Sequence, residues 1–145
     1  MTHYFDASAL IKLYVAEPES SIVTKLALSE PAVITGAAII AEVPAALARS
    51  ARMGRIKEES ALLMMERFRQ DWRSSYAVLP LSAANAEQAG DLAWKHPLRG
   101  YDAVHLACCL RAASLLDERM VMVTYDRELW VAARSEGLDT VPARW

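Results

Sequence analysis

The sequence predicts an α/β domain in three layers, a parallel sheet covered by helices on both faces. Three observations carry that expectation. Short apolar segments at 3–5, 32–35, 77–79 and 120–124 alternate with segments of helical periodicity instead of following one another as hairpins. The segment at 120–123, Met-Val-Met-Val, is apolar without alternation, as in a strand buried on both faces. The stretch from Tyr101 to Leu110 is apolar nearly all round, as in a helix packed on both sides.

In chain order, the first strand runs into Asp6, and Ser8 is placed to cap a helix that turns Leu10, Leu13 and Tyr14 to one face. Glu17-Pro18-Glu19 interrupts the pattern before a second short helix carrying Ile22, Val23, Leu26 and Ala27. Pro31 closes it, the second strand follows at 32–35, and an Ala-rich helix spans 36–52. Pro44 stands inside that helix, where it either kinks the helix or marks a restart. Gly54 ends it. The helix predicted at 57–73 sets Ala61, Met65, Phe68 and Trp72 on one face and charges on the other. A strand at 77–79 closes at Pro80, a helix spans 83–95, and 96–100 is a loop before the buried helix at 101–116. After the strand at 120–124, Asp126 opens a last helix with Leu129, Trp130 and Ala133 inward, and 140–142 reads as an edge strand.

With 145 residues, 54% hydrophobic and 23% charged, the chain is of a size and composition for one globular domain. No apolar run approaches a membrane span, and the N-terminus has neither a basic flank nor a cleavable apolar stretch. The expectation is a cytoplasmic protein with no membrane role. The only two cysteines, Cys108 and Cys109, are neighbours on a helix, which suits core packing better than a disulfide or a metal site. A net charge of −2 does not advertise nucleic-acid binding, yet a local basic stripe can still act beside an acidic centre.

Four acids stand out. Asp6 and Asp126 each follow a hydrophobic strand, at the carboxyl edge where open α/β sheets place ligands, and Asp102 begins the buried helix. Each of the three also suits a plain helix cap. Glu42 does not, for it lies in an apolar run with no Lys or Arg within four residues. A carboxylate buried there needs a counter-charge, either basic side chains from another helix or a divalent metal shared with the other acids. Oxygen ligands of this kind suit Mg²⁺ or Mn²⁺, and the lack of a Cys/His ligand pattern argues against zinc. His105, three residues after Asp102, shares its helix face and reads as a packed, hydrogen-bonded histidine. Arg49 falls on the side of Glu42 if the helix is unbroken, and with Arg52, Arg55 and Lys57 it can either track an RNA backbone or form a solvated face. Arg99 precedes Asp102 in a loop and can meet phosphate or pair with an acid.

Taken together, Asp6-Ala-Ser8-Ala-Leu-Ile-Lys-Leu-Tyr, Glu42 in the helix after the second strand, Arg99-Gly-Tyr-Asp102-Ala-Val-His-Leu-Ala and Val-Thr124-Tyr-Asp126-Arg-Glu-Leu resemble the PIN-domain ribonucleases. More narrowly, they are similar to the VapC toxins of bacterial and archaeal toxin–antitoxin pairs. The four motifs come in the right order and span nearly the whole chain, so residues 1–145 are read as one PIN domain. The resemblance implies strand order 3-2-1-4-5, with Asp6 and Asp126 flanking the switch point. It implies Asp6, Glu42, Asp102 and Asp126 as the acidic cluster, supported by Ser8 and Thr124. Asp6, Asp102 and Asp126 then bind Mg²⁺ or Mn²⁺, while Glu42 orients the attacking water or binds through water. Cleavage of RNA by such an endoribonuclease leaves a 5′-phosphate and a 3′-hydroxyl. The implied partners are a VapB-like antitoxin laid across the helices at 8–30 and 36–73, and a second copy of the chain. Pro44, two residues after Glu42, departs from the expected pattern.

Two rival readings follow from the same residues. A catalytically inactive PIN-like module would bind RNA or protein only, against which all four acids are present. A Mg²⁺-dependent phosphatase or receiver would need a second Asp where Ser8 stands, or an acidic pair by the first strand and a Lys after the last, and neither is found.

Overall fold

The central strand of the fold is the first one in the chain. In a computed structural model describing residues 1–145, β1 (Thr2–Phe5) is flanked by β2 (Val33–Gly36) and β4 (Met120–Val123), with β3 (Tyr76–Leu79) and β5 (Asp139–Val141) at the edges. The order is β3-β2-β1-β4-β5 and every neighbouring pair is parallel, as expected. β4 runs in register with β1 from Thr2↔Met120 to Phe5↔Val123.

Strand alternation divides the core into two layers. Tyr4, Met120 and Met122 face α5 (Ala83–Lys95), α6 (Gly100–Leu116) and α7 (Arg127–Ser135). Phe5, Val33 and Val123 face α1 (Ala7–Leu10), α2 (Ser20–Ser29), α3 (Ile39–Arg52) and α4 (Glu58–Ser74). In α6 every residue from Ala103 to Cys109 is buried, both thiols free, which matches the all-round apolar pattern. No helix is long and apolar enough to cross a membrane.

Three local expectations are corrected or resolved. Asp6, not Ser8, is the N-cap of α1: its Oδ1 accepts from Ala9 N at 2.9 Å, so the helix begins earlier, at Ala7, than a Ser8 cap allows. After Leu10 the chain tightens into a 3-10 turn, Ile11–Leu13, and the two segments together bury Ala9, Leu10 and Lys12. Pro44 does not mark a restart, for α3 runs through Ile39–Arg52 with the proline inside it. The carbonyl it leaves without a donor is that of Ile40, in the first turn, where the loss is least disruptive. Glu17 and Glu19, which read only as a break, clamp the buried Lys12 at 2.8 Å each, and its ammonium lies 4.7 Å from the Tyr125 ring centre. Those two carboxylates hold the lysine pKa above its ordinary value despite burial.

Gly36 ends β2 for reasons of space. A Cβ there would stand 2.7 Å from Tyr4 Oη and 3.1 Å from Cys108 Sγ, so β2 meets the buried face of α6 only because the side chain is missing. Gly36→Ala is expected to destabilise the fold by about 1–3 kcal/mol, as overpacking of a closed core does. Chemical denaturation measures it. An unchanged midpoint would mean the Tyr4 ring is free to move aside.

Candidate active site

The carboxyl edge of β1 and β4 carries a chain of hydrogen bonds that fixes Asp6. Asp6 N donates to Val123 O at 3.2 Å, closing the sheet at that point. Thr124 Oγ1 donates to Asp6 Oδ2 at 2.7 Å and accepts from Asp126 N at 3.1 Å. Ser8 Oγ lies 2.8 Å from both Asp6 oxygens and accepts from Tyr125 N at 2.8 Å. Ser8 and Thr124 therefore tie the turn after β4 to the carboxylate after β1. Asp6 is only 2% exposed, and burial raises its pKa against the opposing pull of His105 and its hydrogen-bond donors. Asp126 caps α7, its Oδ1 accepting from Leu129 N at 2.9 Å, and its other oxygen takes no hydrogen bond within the chain.

Glu42 and Asp102 reach the same region from opposite layers. Glu42 sits in the first turn of α3, and its side chain is 18% exposed, so it is not the fully buried carboxylate that its apolar neighbours suggested. Ile40 and Ala41 beside it are exposed as well. Its counter-charge is neither Lys nor Arg: Glu42 Oε1 lies 2.6 Å from Nε2 of His105, on α6. Burial pulls the His105 pKa down, but the hydrogen bond and charge of Glu42 outweigh it and the net shift is upward. Asp102 is in the first turn of α6, yet it caps nothing. The N-cap is Arg99, which makes no side-chain cap bond. Burial pushes the Asp102 pKa up to about 6, reinforced by the charges of Asp126, Asp6 and Glu42 and eased only by His105.

These residues border an open crevice of about 560 Å³. Ser8, Glu42, Asp102 and Asp126 line it, while Asp6 lies behind Ser8 and is not part of the wall. Arg49 and Arg99 line the crevice too, and neither is ion-paired within the chain. Arg52 instead borders a separate apolar groove between α3 and α4, and Arg55 and Lys57 are exposed beyond it. Tyr101, 54% exposed on the turn that also presents Asp102, is a polar lining residue that the sequence pattern did not single out. Its neighbours in sequence were the only signal.

The donor chemistry fits a hard divalent cation. Every charged acceptor facing the crevice is a carboxylate, both thiols are buried elsewhere, and the one nearby imidazole is turned onto Glu42 and Tyr4. The buried cation of this layer, Lys12, is consumed by Glu17 and Glu19, so it does not neutralise Asp6. No three acidic, His or Cys side chains stand close enough together to hold a metal ion between them. Mg²⁺ asks less of a protein than such a group, since it takes one or two carboxylates and keeps the rest of its octahedron for water and phosphate.

The family model of the PIN domain matches residues 3–134. Ribonuclease VapC45 of Mycobacterium tuberculosis is 38% identical over 141 residues, which covers 97% of this chain and 95% of that protein. Among solved structures, Mycobacterium tuberculosis VapC20, described as a sarcin–ricin loop cleaving toxin, aligns with a TM-score of 0.67 at 18% identity, over 90% of this chain and 95% of that one. A toxin–antitoxin complex from Klebsiella pneumoniae aligns with a TM-score of 0.59 at 21% identity, over 90% of each chain. At those identities the structural likeness speaks for the fold.

Proposed function

The chain belongs to the PIN-domain family, among the VapC ribonucleases, and from that premise we propose that it is a Mg²⁺- or Mn²⁺-dependent endoribonuclease, the toxin of a type II toxin–antitoxin pair. The observation that carries the metal dependence is electrostatic. Four carboxylates from four elements share one edge of the sheet, and burial together with the charges of the other three pushes the Asp102 pKa up to about 6. A bound divalent ion supplies screening of the phosphodiester charge and a water of lowered pKa. Asp6, Asp102 and Asp126 would hold it, with Ser8 and Thr124 fixing Asp6. Glu42 holds and orients the attacking water. Arg49 and Arg99, on the crevice wall and unpaired, contact phosphates of the RNA on either side of the cut. The product ends are a 5′-phosphate and a 3′-hydroxyl. Nothing favours an inactive binding module, since no acid of the set is missing.

A VapB-like antitoxin is the proposed protein partner. The groove between α3 and α4, lined by Pro44, Leu47, Ala48, Ala61, Leu62 and Met65, offers an apolar seat for a short amphipathic segment, and an antitoxin arginine reaching the crevice would pair with its carboxylates. A homodimer and a cytoplasmic location complete the reading.

The test uses purified protein and a fluorescent RNA. Cleavage is expected with Mg²⁺ or Mn²⁺ and none with EDTA, and expression of the chain alone should arrest growth that co-expression of the neighbouring antitoxin gene restores. Metal-independent cleavage would overturn the metal reading. Unimpaired growth with abundant folded protein would overturn the toxin.

A further inference from the structure

Glu42 is held by one oxygen and free at the other. Oε1 lies 2.6 Å from His105 Nε2, while Oε2 takes no hydrogen bond within the chain and the residue lines the crevice. An ionised carboxylate only accepts, so the proton in that contact belongs to Nε2. His105 is 1% exposed and has no water to turn to. Its other nitrogen, Nδ1, lies 2.9 Å from Tyr4 Oη, with the two rings edge to face at 6.0 Å and 68°. Tyr4 is anchored in turn, on the central strand and against the bare backbone of Gly36. A polar chain of three residues thus runs from the middle of the sheet to the crevice wall.

The surroundings of Glu42 offer nothing else to hold it. The lining residues next to it on α3 are Ala41, Ala45 and Ala46, too small to confine its side chain. Left alone, the carboxylate would sample several rotamers over an open crevice, and a group that must present one oxygen to a water would lose that alignment.

We propose that His105 is a positioning residue for RNA cleavage: backed by Tyr4, it donates Nε2–H to Glu42 and aims the free oxygen of that carboxylate into the crevice. The inference rests on the nuclease reading and adds to it a buried residue that never meets RNA. It assigns a task to the Tyr4–His105 pair that core packing does not require, since an apolar side chain of similar volume would fill the same space.

A double-mutant cycle with a spectroscopic arm tests it. His105→Leu is expected to lower kcat by about 10–100-fold with Mn²⁺, the range for loss of a supporting hydrogen bond behind an active group. KM should stay within about threefold, and His105→Gln, whose amide can donate from nearly the same place, should recover most of the rate. In a Glu42→Gln background, His105→Leu should cost less than about threefold more. In metal-free protein, ring-nitrogen NMR should show the Nε2 proton of His105 in slow exchange and shifted by Glu42→Gln. Equal rate losses in both backgrounds would overturn the proposal, as would an Nε2 resonance indifferent to Glu42→Gln. Wild-type protein that cleaves no RNA would overturn the nuclease reading instead, and the spectrum would still judge the contact.

Discussion

Asp6→Asn is expected to lower metal-dependent RNA cleavage by about three orders of magnitude or more while leaving the fold intact. Asp6 joins the strand end to everything around it: it caps α1 through Ala9 N and accepts from both Ser8 and Thr124. An Asn keeps an oxygen for Ala9 N, so the cap survives at a cost of a few tenths of a kcal/mol at most. At the position of the second oxygen an amide would meet Thr124, whose hydroxyl must turn to accept. Against that small loss, the neutral side chain escapes the desolvation that raises the Asp6 pKa. Stability should therefore change little, and what disappears is the negative charge needed to hold a cation at the switch point. Rates on a fluorescent RNA, with circular dichroism and a thermal melt on the same preparation, decide it. Full activity in folded Asp6→Asn protein would remove Asp6 from the site.

Asp102→Asn should make the metal-free protein more stable. The folded-state pKa is about 6 and the ordinary value is 3.8, so between them the folded chain holds more protons than the unfolded one. Stability then falls as pH rises through that window, and the ionised Asp102 is a liability above it. Because the group is only partly buried, solvent screening reduces the gain from its removal to about 1 kcal/mol, or about 3–5 °C. Part of that is offset by the favourable interaction of a first-turn carboxylate with the α6 dipole, worth about 0.3–1 kcal/mol. The advantage of the mutant should be present at pH 7–8 with EDTA and vanish near pH 4, where wild-type Asp102 is itself neutral. Millimolar Mn²⁺ should stabilise wild type by about 1–3 kcal/mol and the mutant much less. Melts of both proteins across pH, with EDTA and with Mn²⁺, separate this from a purely structural acid, for which neither protein would respond to metal.

The parallel three-layer class and the placing of Asp6 and Asp126 after strands were legible because they follow from local signals. The order of the strands was not among them, for it came from the resemblance to the PIN-domain ribonucleases. What local signals could not give was the far side of each contact. The capping expectation for Ser8 was reasonable from its position, but Asp6 competes for the same helix start, and the freed Ser8 hydroxyl finds Tyr125 N, 117 residues later in sequence. Glu42 called for a counter-charge, yet nothing near it in sequence says that the partner is His105, because the approach of β2 to α6 depends on the missing side chain of Gly36. The apolar run around Glu42 overstated its burial, since Ile40 and Ala41 beside it are exposed. Arg49 sits where the helical spacing put it, whereas Arg52 turns to the α3–α4 groove.

The central place of β1 has a consequence in time. Its Asp6 is synthesised well before the wall opposite, which is made from Thr124 and Asp126 after β4 has paired with β1. At about 5–20 residues per second, some 6–24 s of synthesis separate Asp6 from Asp126. Through that interval β1 has no β4 to pair with, Asp6 lacks one of its two hydroxyl donors, and the crevice has only part of its wall. A nascent chain of this topology therefore lacks a complete acidic crevice until β4 and the turn after it have been made.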